Sequence, residues 1–303
     1  MAEALFSGII PPVLTPFDEN GGLDTAALEK VLERLIAGGV HGLFILGTTG
    51  EGPSLSYDLR RCLIRQTNTI TGGRVPILVG ITDTSFDESV RLADFAAENG
   101  ASALVAAPPY YHPVTQDDLL RYLEQLARRV PLPTLLYNMP SHCKTWYEID
   151  TLRRAFEIDR YVGLKDSSHD MSYFQKAAEL MLPQKRLSLL IGPEELLPEA
   201  LKIGAHGGVC GGAHLLPRLF VRVVEAGAAG DAAAMEQLTK RIGDLRAVYK
   251  AGGGFLKSMK AAMSILGIIQ NRLAPPLYPL GGEVFESVRR KLAEVGIDLS
   301  TLE

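Results

Sequence analysis

Cysteine is scarce and unpatterned in this chain. Cys62, Cys143 and Cys210 lie far apart and match no zinc-ligand spacing, and an odd number of thiols suits a reducing cytosol better than a disulfide framework. Basic residues are in slight deficit: 31 Lys and Arg against 35 Asp and Glu give a net charge of −4, which excludes the electrostatic footprint of a nucleic-acid binder. No apolar run approaches the length of a bilayer span, and Met1–Phe6 carries no basic segment leading into an apolar one. Neither membrane partner nor signal peptide is therefore expected, and the expected location is the cytoplasm. No Gly-x-Gly-x-x-Gly follows an apolar run, and Lys257-Ser258 follows Leu256 rather than the glycine of a phosphate-binding loop. The six histidines, His41, His112, His142, His169, His206 and His214, form no metal-ligand pattern.

What the chain does have is a rhythm. Its 303 residues, 47% hydrophobic and 22% charged, can fill one large barrel or two smaller domains. Short apolar runs recur at Gly8–Leu14, Leu43–Leu46, Ile77–Val79, Ala103–Ala107, Thr134–Tyr137, Tyr161–Lys165, Leu187–Ile191 and, more weakly, Gly207–Val209. They are apolar throughout rather than alternating, as strands buried on both faces must be. Helical periodicity fills the gaps. Asp24 caps Leu28, Val31, Leu32 and Leu35 before Gly38-Gly39; Ser85 to Glu88 and Thr115 to Asp118 open two more helices. Strand and helix alternating eight times predict an α/β fold, a (β/α)8 TIM barrel with a C-terminal helical extension, and not a doubly wound open sheet. The barrel is expected over 1–226. A helical region follows over 227–303, with helices at Asp231–Lys250, Phe255–Leu266 and Gly282–Val295 and a hinge at Gly227–Gly230.

In such a barrel the chemistry belongs where strands end. The stretch Tyr161 to Lys165 delivers a lysine to the end of its own strand. One reading is that Lys165 marks where the strand leaves the core and its head reaches water. The other is that partial burial lowers its pKa, so that the free amine attacks a carbonyl and forms a Schiff base. Neighbouring strand ends carry Gly47-Thr48-Thr49-Gly50-Glu51, whose hydroxyls and N–H groups suit a carboxylate or merely satisfy a tight turn. Tyr137 ends another strand, either as core or as a proton relay. Glu194 and Glu195 follow Gly192-Pro193, where carboxylates also simply favour a helix start.

These motifs, Gly47-Thr48-Thr49-Gly50-Glu51, Tyr110-Tyr111, Tyr137-Asn138-x-Pro140 and Gly163-Leu164-Lys165-Asp166, resemble in order and spacing the dihydrodipicolinate synthase / N-acetylneuraminate lyase family. The resemblance runs through nearly the whole chain, from Pro11 to Phe17 to Asn271 to Leu277. It implies a class I lyase without cofactor or metal, usually a homotetramer built as a dimer of dimers, that handles pyruvate or another 2-keto acid as a lysine imine. Lys165 then resembles the Schiff-base lysine and Tyr137 the general acid/base. Thr48 and Thr49 resemble the carboxylate binders, and Tyr111 the tyrosine lent by a neighbouring subunit to a Thr49–Tyr–Tyr relay. Gly47, Ser167, Gly192 and Val209 join the expected substrate contacts, although the tract around Val209 does not discriminate between branches.

Substrate choice divides the family. Where the synthases place an arginine for the carboxylate of aspartate semialdehyde, this chain has His142, a weaker and pH-dependent charge, with Cys143-Lys144 after it. Glu194 and Glu195 resemble the hydroxyl-binding end of sugar-acid aldolases. The expectation is an aldolase or dehydratase of a 2-keto-3-deoxy sugar acid. The alternatives are a dihydrodipicolinate synthase, and a barrel that binds a keto acid without turnover.

Overall fold

The computed structural model describes residues 4–298. Of the Met1–Phe6 stretch, in which no signal peptide is expected, Met1–Glu3 lie outside the described residues, as do 299–303 of the helical region. Contacts divide the chain into two compact units: Met1–Ile10, His41–Phe44 and Pro76–Cys210 form one, and Pro11–Val40, Ile45–Val75 and Gly211–Glu303 the other.

Eight parallel strands follow one another as β1 (Gly8–Ile9), β2 (Leu43–Ile45), β3 (Ile77–Gly80), β4 (Ala103–Ala106), β5 (Thr134–Asn138), β6 (Tyr161–Asp166), β7 (Ser188–Ile191) and β8 (Gly207–Gly208). They are hydrogen-bonded in the order β1-β8-β7-β6-β5-β4-β3-β2. The two end strands are joined by the His41 N–H, which donates to the Ile9 carbonyl at 2.7 Å. With helices between the strands, this is the (β/α)8 order that the apolar rhythm predicts. β3, β4, β5 and β7 are buried at every position, which explains why their sequences do not alternate. The first run, expected over Gly8–Leu14, stops short. Ile10 N–H makes a last bond to Gly208 O at 3.0 Å, and then Pro11 and Pro12 have no N–H to continue the ladder.

Within the first unit the local signals act as read. Ser85 Oγ accepts from Glu88 N–H and caps Phe86–Glu98; Thr115 Oγ1 accepts from Asp118 N–H at 3.1 Å and caps Gln116–Arg129. Leu119, Leu120, Leu123 and Leu126 form the buried face of that second helix, each contributing about 2 kcal/mol by leaving water. Inside the sheet, Phe44, Leu78, Ala103, Val105, Ala107, Leu135, Tyr137, Leu190 and Val209 belong to one packed cluster.

In the second unit Asp24 Oδ1 accepts from Ala27 N–H at 2.9 Å and starts Thr25–Ala37. The three late helices occur at Ala232–Ala251, Phe255–Ile265 and Gly282–Glu294. The expected hinge is corrected: Gly227 lies inside the helix Pro217–Ala229, and Gly230, at φ 65°, is its left-handed terminator.

One buried group in this unit titrates in a useful range. His214 is fully buried; its Nε2 accepts from Leu14 N–H at 3.1 Å while Nδ1 donates to Gly211 O at 2.8 Å. Burial, with smaller help from the Arg34 and Lys260 charges, lowers its pKa from 6.5 to about 4. The unfolded chain therefore binds the proton first. The neutral ring's contribution is complete above pH 6.5 and is lost as pH falls from 6.5 through 4, a loss of roughly 3 kcal/mol. Denaturant melts of the protein and of His214→Gln at stepped pH are expected to converge by that amount over this window. A constant gap between the two curves would exclude His214 as the source.

Candidate active site

β5 and β6 lie in register, Tyr137 opposite Lys165 and Asn138 opposite Asp166. Because side chains alternate along a strand, the first pair faces the packed interior and the second the other way. Lys165 is 5% exposed. Its Nζ lies 3.8 Å from the centroid of the Tyr137 ring and 4.9 Å from that of Phe44, and the Tyr137 side chain hydrogen-bonds to it. Phe44 in turn meets Tyr137 edge-on at 6.3 Å. Ring faces and the phenol favour the ammonium, as do Cys210 and Asp166, yet burial outweighs them all and holds the Lys165 pKa below its ordinary value. The lysine does not reach water at its strand end. Burial thus favours the free amine, the form that nucleophilic addition requires.

On the opposite face, Asp166 accepts from Asn138 Nδ2 and Ser168 Oγ, both at 2.8 Å. Asn138 Oδ1 accepts from Tyr147 N–H at 3.2 Å. Burial raises the Asp166 pKa, and the hydrogen bonds from Asn138 and Ser168 oppose that rise. This strut locks β5 to β6 immediately beside the reactive pair. The sequence reading missed it, although both members follow Tyr137 and Lys165 by one residue.

Three further buried tyrosines tie their hydroxyls to backbone carbonyls: Tyr147 donates to Ala106 O, Tyr161 to Leu123 O and Tyr173 to Tyr147 O. Cys210 is buried, and burial first, then the Glu194 charge, pushes its thiol well up, so it is inert. The Lys165 and Glu195 charges also act on that thiol, in opposite directions. Glu194 is buried in the short turn Glu194–Leu196. Ser167 is buried, with its N–H on Asn138 O at 2.8 Å. Gly192 presses against it so closely that a Cβ would stand 2.0 Å from Ser167 Oγ, and only glycine fits. Val209 lies in the interior cluster.

His142 stands exposed on the single turn Pro140–Cys143, with Nδ1 2.9 Å from Ser141 Oγ; partial covering still lowers its pKa. Lys144 Nζ donates to Tyr111 O at 3.0 Å. Tyr111 is 66% exposed, whereas Tyr110 packs on the interior cluster. Gly47, Thr48 and Thr49 belong to the second unit. There Gly47 is buried and both threonines are half-buried on a turn closed by Glu51 N–H to Thr48 O at 3.0 Å and Gly52 N–H to Gly47 O at 3.1 Å. Among the described residues no group of three His, Cys, Asp or Glu side chains could hold a metal, and no helix is long and apolar enough to cross a membrane.

The profile of the dihydrodipicolinate synthetase family matches residues 5–295. The chain is 34% identical over 295 residues to the probable 2-dehydro-3-deoxy-D-pentonate aldolase YjhH of Escherichia coli (strain K12), covering 96% of this chain and 98% of that protein. It superposes with TM-score 0.93 on dihydrodipicolinate synthase from Bacteroides thetaiotaomicron, 41% identical, covering 97% of this chain and 100% of that one. A third likeness is YagE of E. coli K12, solved in complex with pyruvate, with TM-score 0.92, 28% identity and the same coverage of 97% and 100%. On these matches the chain belongs to the dihydrodipicolinate synthetase family of class I pyruvate-dependent lyases and aldolases.

Proposed function

We propose that this enzyme cleaves, and in reverse forms, a 2-keto-3-deoxy sugar acid or a related hydroxylated 2-keto acid, with pyruvate as the keto-acid fragment. The observation that carries the reading is the charge available for the far end of the substrate. A second carboxylate, such as that of aspartate semialdehyde, needs a permanent cation. His142 has its pKa lowered by burial and is neutral near pH 7, while the Lys144 ammonium is directed to a backbone carbonyl. Glu194 and Glu195 would accept hydrogen bonds from hydroxyls and repel a carboxylate. Like charges roughly 4 Å apart repel by about 4 kcal/mol at an effective dielectric near 20, enough to decide between a polyol and an anion.

The chemistry follows from the pair. Neutral Lys165 adds to the C2 carbonyl, and Tyr137 protonates the departing hydroxyl of the carbinolamine, leaving a protonated imine. As the C4 hydroxyl gives up its proton, the C3–C4 bond breaks and its electron pair moves into the imine, giving an aldehyde and an enamine. The enamine takes a proton at C3, and water releases pyruvate and free Lys165. In this reading Thr48 and Thr49, with Gly47, hold the substrate carboxylate, and Ser167, Gly192 and Val209 line the keto-acid end. A neighbouring subunit's Tyr111 completes the relay within a cytoplasmic homotetramer, for which light scattering in solution should give the mass of four chains.

The test is a panel. Pyruvate release is measured from 2-keto-3-deoxygluconate, N-acetylneuraminate and 4-hydroxy-2-oxoglutarate, beside condensation of pyruvate with aspartate semialdehyde. At least one cleavage is expected to exceed the condensation in kcat/KM by about 1,000-fold, the scale of one like-charge repulsion of this kind. The second reading, a dihydrodipicolinate synthase, is favoured by the 41% identity to the Bacteroides thetaiotaomicron dihydrodipicolinate synthase. If only the condensation runs, that reading replaces the first.

A further inference from the structure

We infer that the buried ion pair between Lys260 and Glu51 is a positioning device for the turn Gly47–Glu51, setting affinity for the keto-acid carboxylate without touching it. The inference rests on the proposed assignment of Thr48 and Thr49 to that carboxylate.

Lys260 sits in the helix Phe255–Ile265 with its side chain fully buried. Its Nζ lies 2.9 Å from Glu51 Oε1, donates to Thr15 O at 2.5 Å and stands 4.4 Å from the centroid of the Phe17 ring. The second oxygen of Glu51 accepts from Ala274 N–H at 2.7 Å. Burial lowers the Lys260 pKa and the Glu51 charge opposes this. Apolar residues of similar volume would serve stability as well as such a pair does, so its worth lies in what it orients.

What it orients is a backbone whose own two closing hydrogen bonds must hold strained residues at either end. The turn is bracketed by two non-glycine residues in the left-handed region, Leu46 at φ 60° and Glu51 at φ 57°. Such residues persist only where their surroundings over-determine them. Lys260 grips Glu51 directly and the Thr15 carbonyl beside it, while the Thr15 hydroxyl donates to Gly50 O at 2.6 Å. Consecutive residues Gly50 and Glu51 are thereby held through one ammonium. Gly52 seals the far side, where a Cβ would stand 2.2 Å from Leu46 O. Two hydroxyls and a backbone bind an anion only as well as they are preorganised.

The test uses pyruvate as probe and borohydride trapping on the full chain as readout. In Glu51→Gln/Lys260→Met the pyruvate concentration giving half-maximal trapping is expected to rise about tenfold. The rate at saturation should stay within about threefold, as for lost binding rather than lost chemistry. Thr15→Val, which keeps the ion pair and removes only the hydroxyl on Gly50, should raise it by about fivefold, the scale of one hydrogen bond. If the double variant does not fold, Glu51→Gln alone, which keeps the volume and removes the charge facing Lys260, decides in its place. Unchanged half-saturation in the folded variants overturns the inference. Thr48→Val and Thr49→Val run alongside: if they raise half-saturation and the support variants do not, the inference alone fails. If the threonine variants leave it unmoved, the carboxylate assignment fails and takes the inference with it.

Discussion

Lys165→Ala is expected to lower kcat/KM by at least about 10⁴-fold and to abolish the borohydride-trapped pyruvate adduct seen by intact-protein mass. The size of the effect follows from the role: without a covalent imine the electrons of the breaking bond have no sink. Lys165→Arg should be equally inactive, since a guanidinium keeps the positive charge but offers no free amine at accessible pH. That result separates nucleophilic catalysis from mere charge stabilisation. The native pH profile gives a third check. Burial holds the Lys165 pKa below 10.5, so the acid limb of kcat/KM should fall with decreasing pH around a midpoint below that value. Retention of the adduct in Lys165→Ala, or turnover within tenfold of the native enzyme, would overturn the imine mechanism. A barrel that only binds keto acids would show neither the adduct nor the limb.

The features legible in the sequence are those whose causes are local. Asp24, Ser85 and Thr115 cap helices because a short oxygen at that point satisfies an orphan N–H, whatever the rest of the chain does. Lys165 and Tyr137 stood out because a polar end on an apolar strand needs a reason, and adjacent strands brought both reasons together. The overrun of β1 came from reading hydrophobicity without counting donors: Pro11 and Pro12 are apolar enough for a strand and unable to form one. By composition Gly227 reads as a hinge, but the buried face of Pro217–Ala229, carrying Leu219, Phe220, Val223 and Ala226, holds the helix through it. The Asn138–Asp166 strut is invisible until the register of β5 on β6 is known. Hardest to see was Lys260, a lysine on a late helix that reads as solvated; only tertiary packing gives it Glu51 and Thr15. Long-range polar pairs leave no periodic trace.

Tyr137→Phe separates the phenol's two effects on Lys165, which have opposite consequences for rate. The ring remains, so the 3.8 Å approach of Nζ to its face and the edge contact with Phe44 survive, and the fold should be intact. What goes is the hydroxyl. Because its hydrogen bond raises the Lys165 pKa against burial, removing it should lower that pKa further and move the acid limb of kcat/KM to lower pH. More of the lysine is then a free amine, and if amine supply limited the reaction the variant would be faster. We expect it to be slower, with kcat down by about 10² to 10³, because carbinolamine dehydration and imine hydrolysis both need a proton delivered at the reacting oxygen. The keto-acid KM should change little, since the hydroxyl acts on the reaction rather than on binding. The combination of an acid-shifted limb and a depressed plateau is the signature of a proton relay. A shifted limb with a plateau within tenfold of native would mean that the phenol only tunes Lys165 and that another group carries the proton.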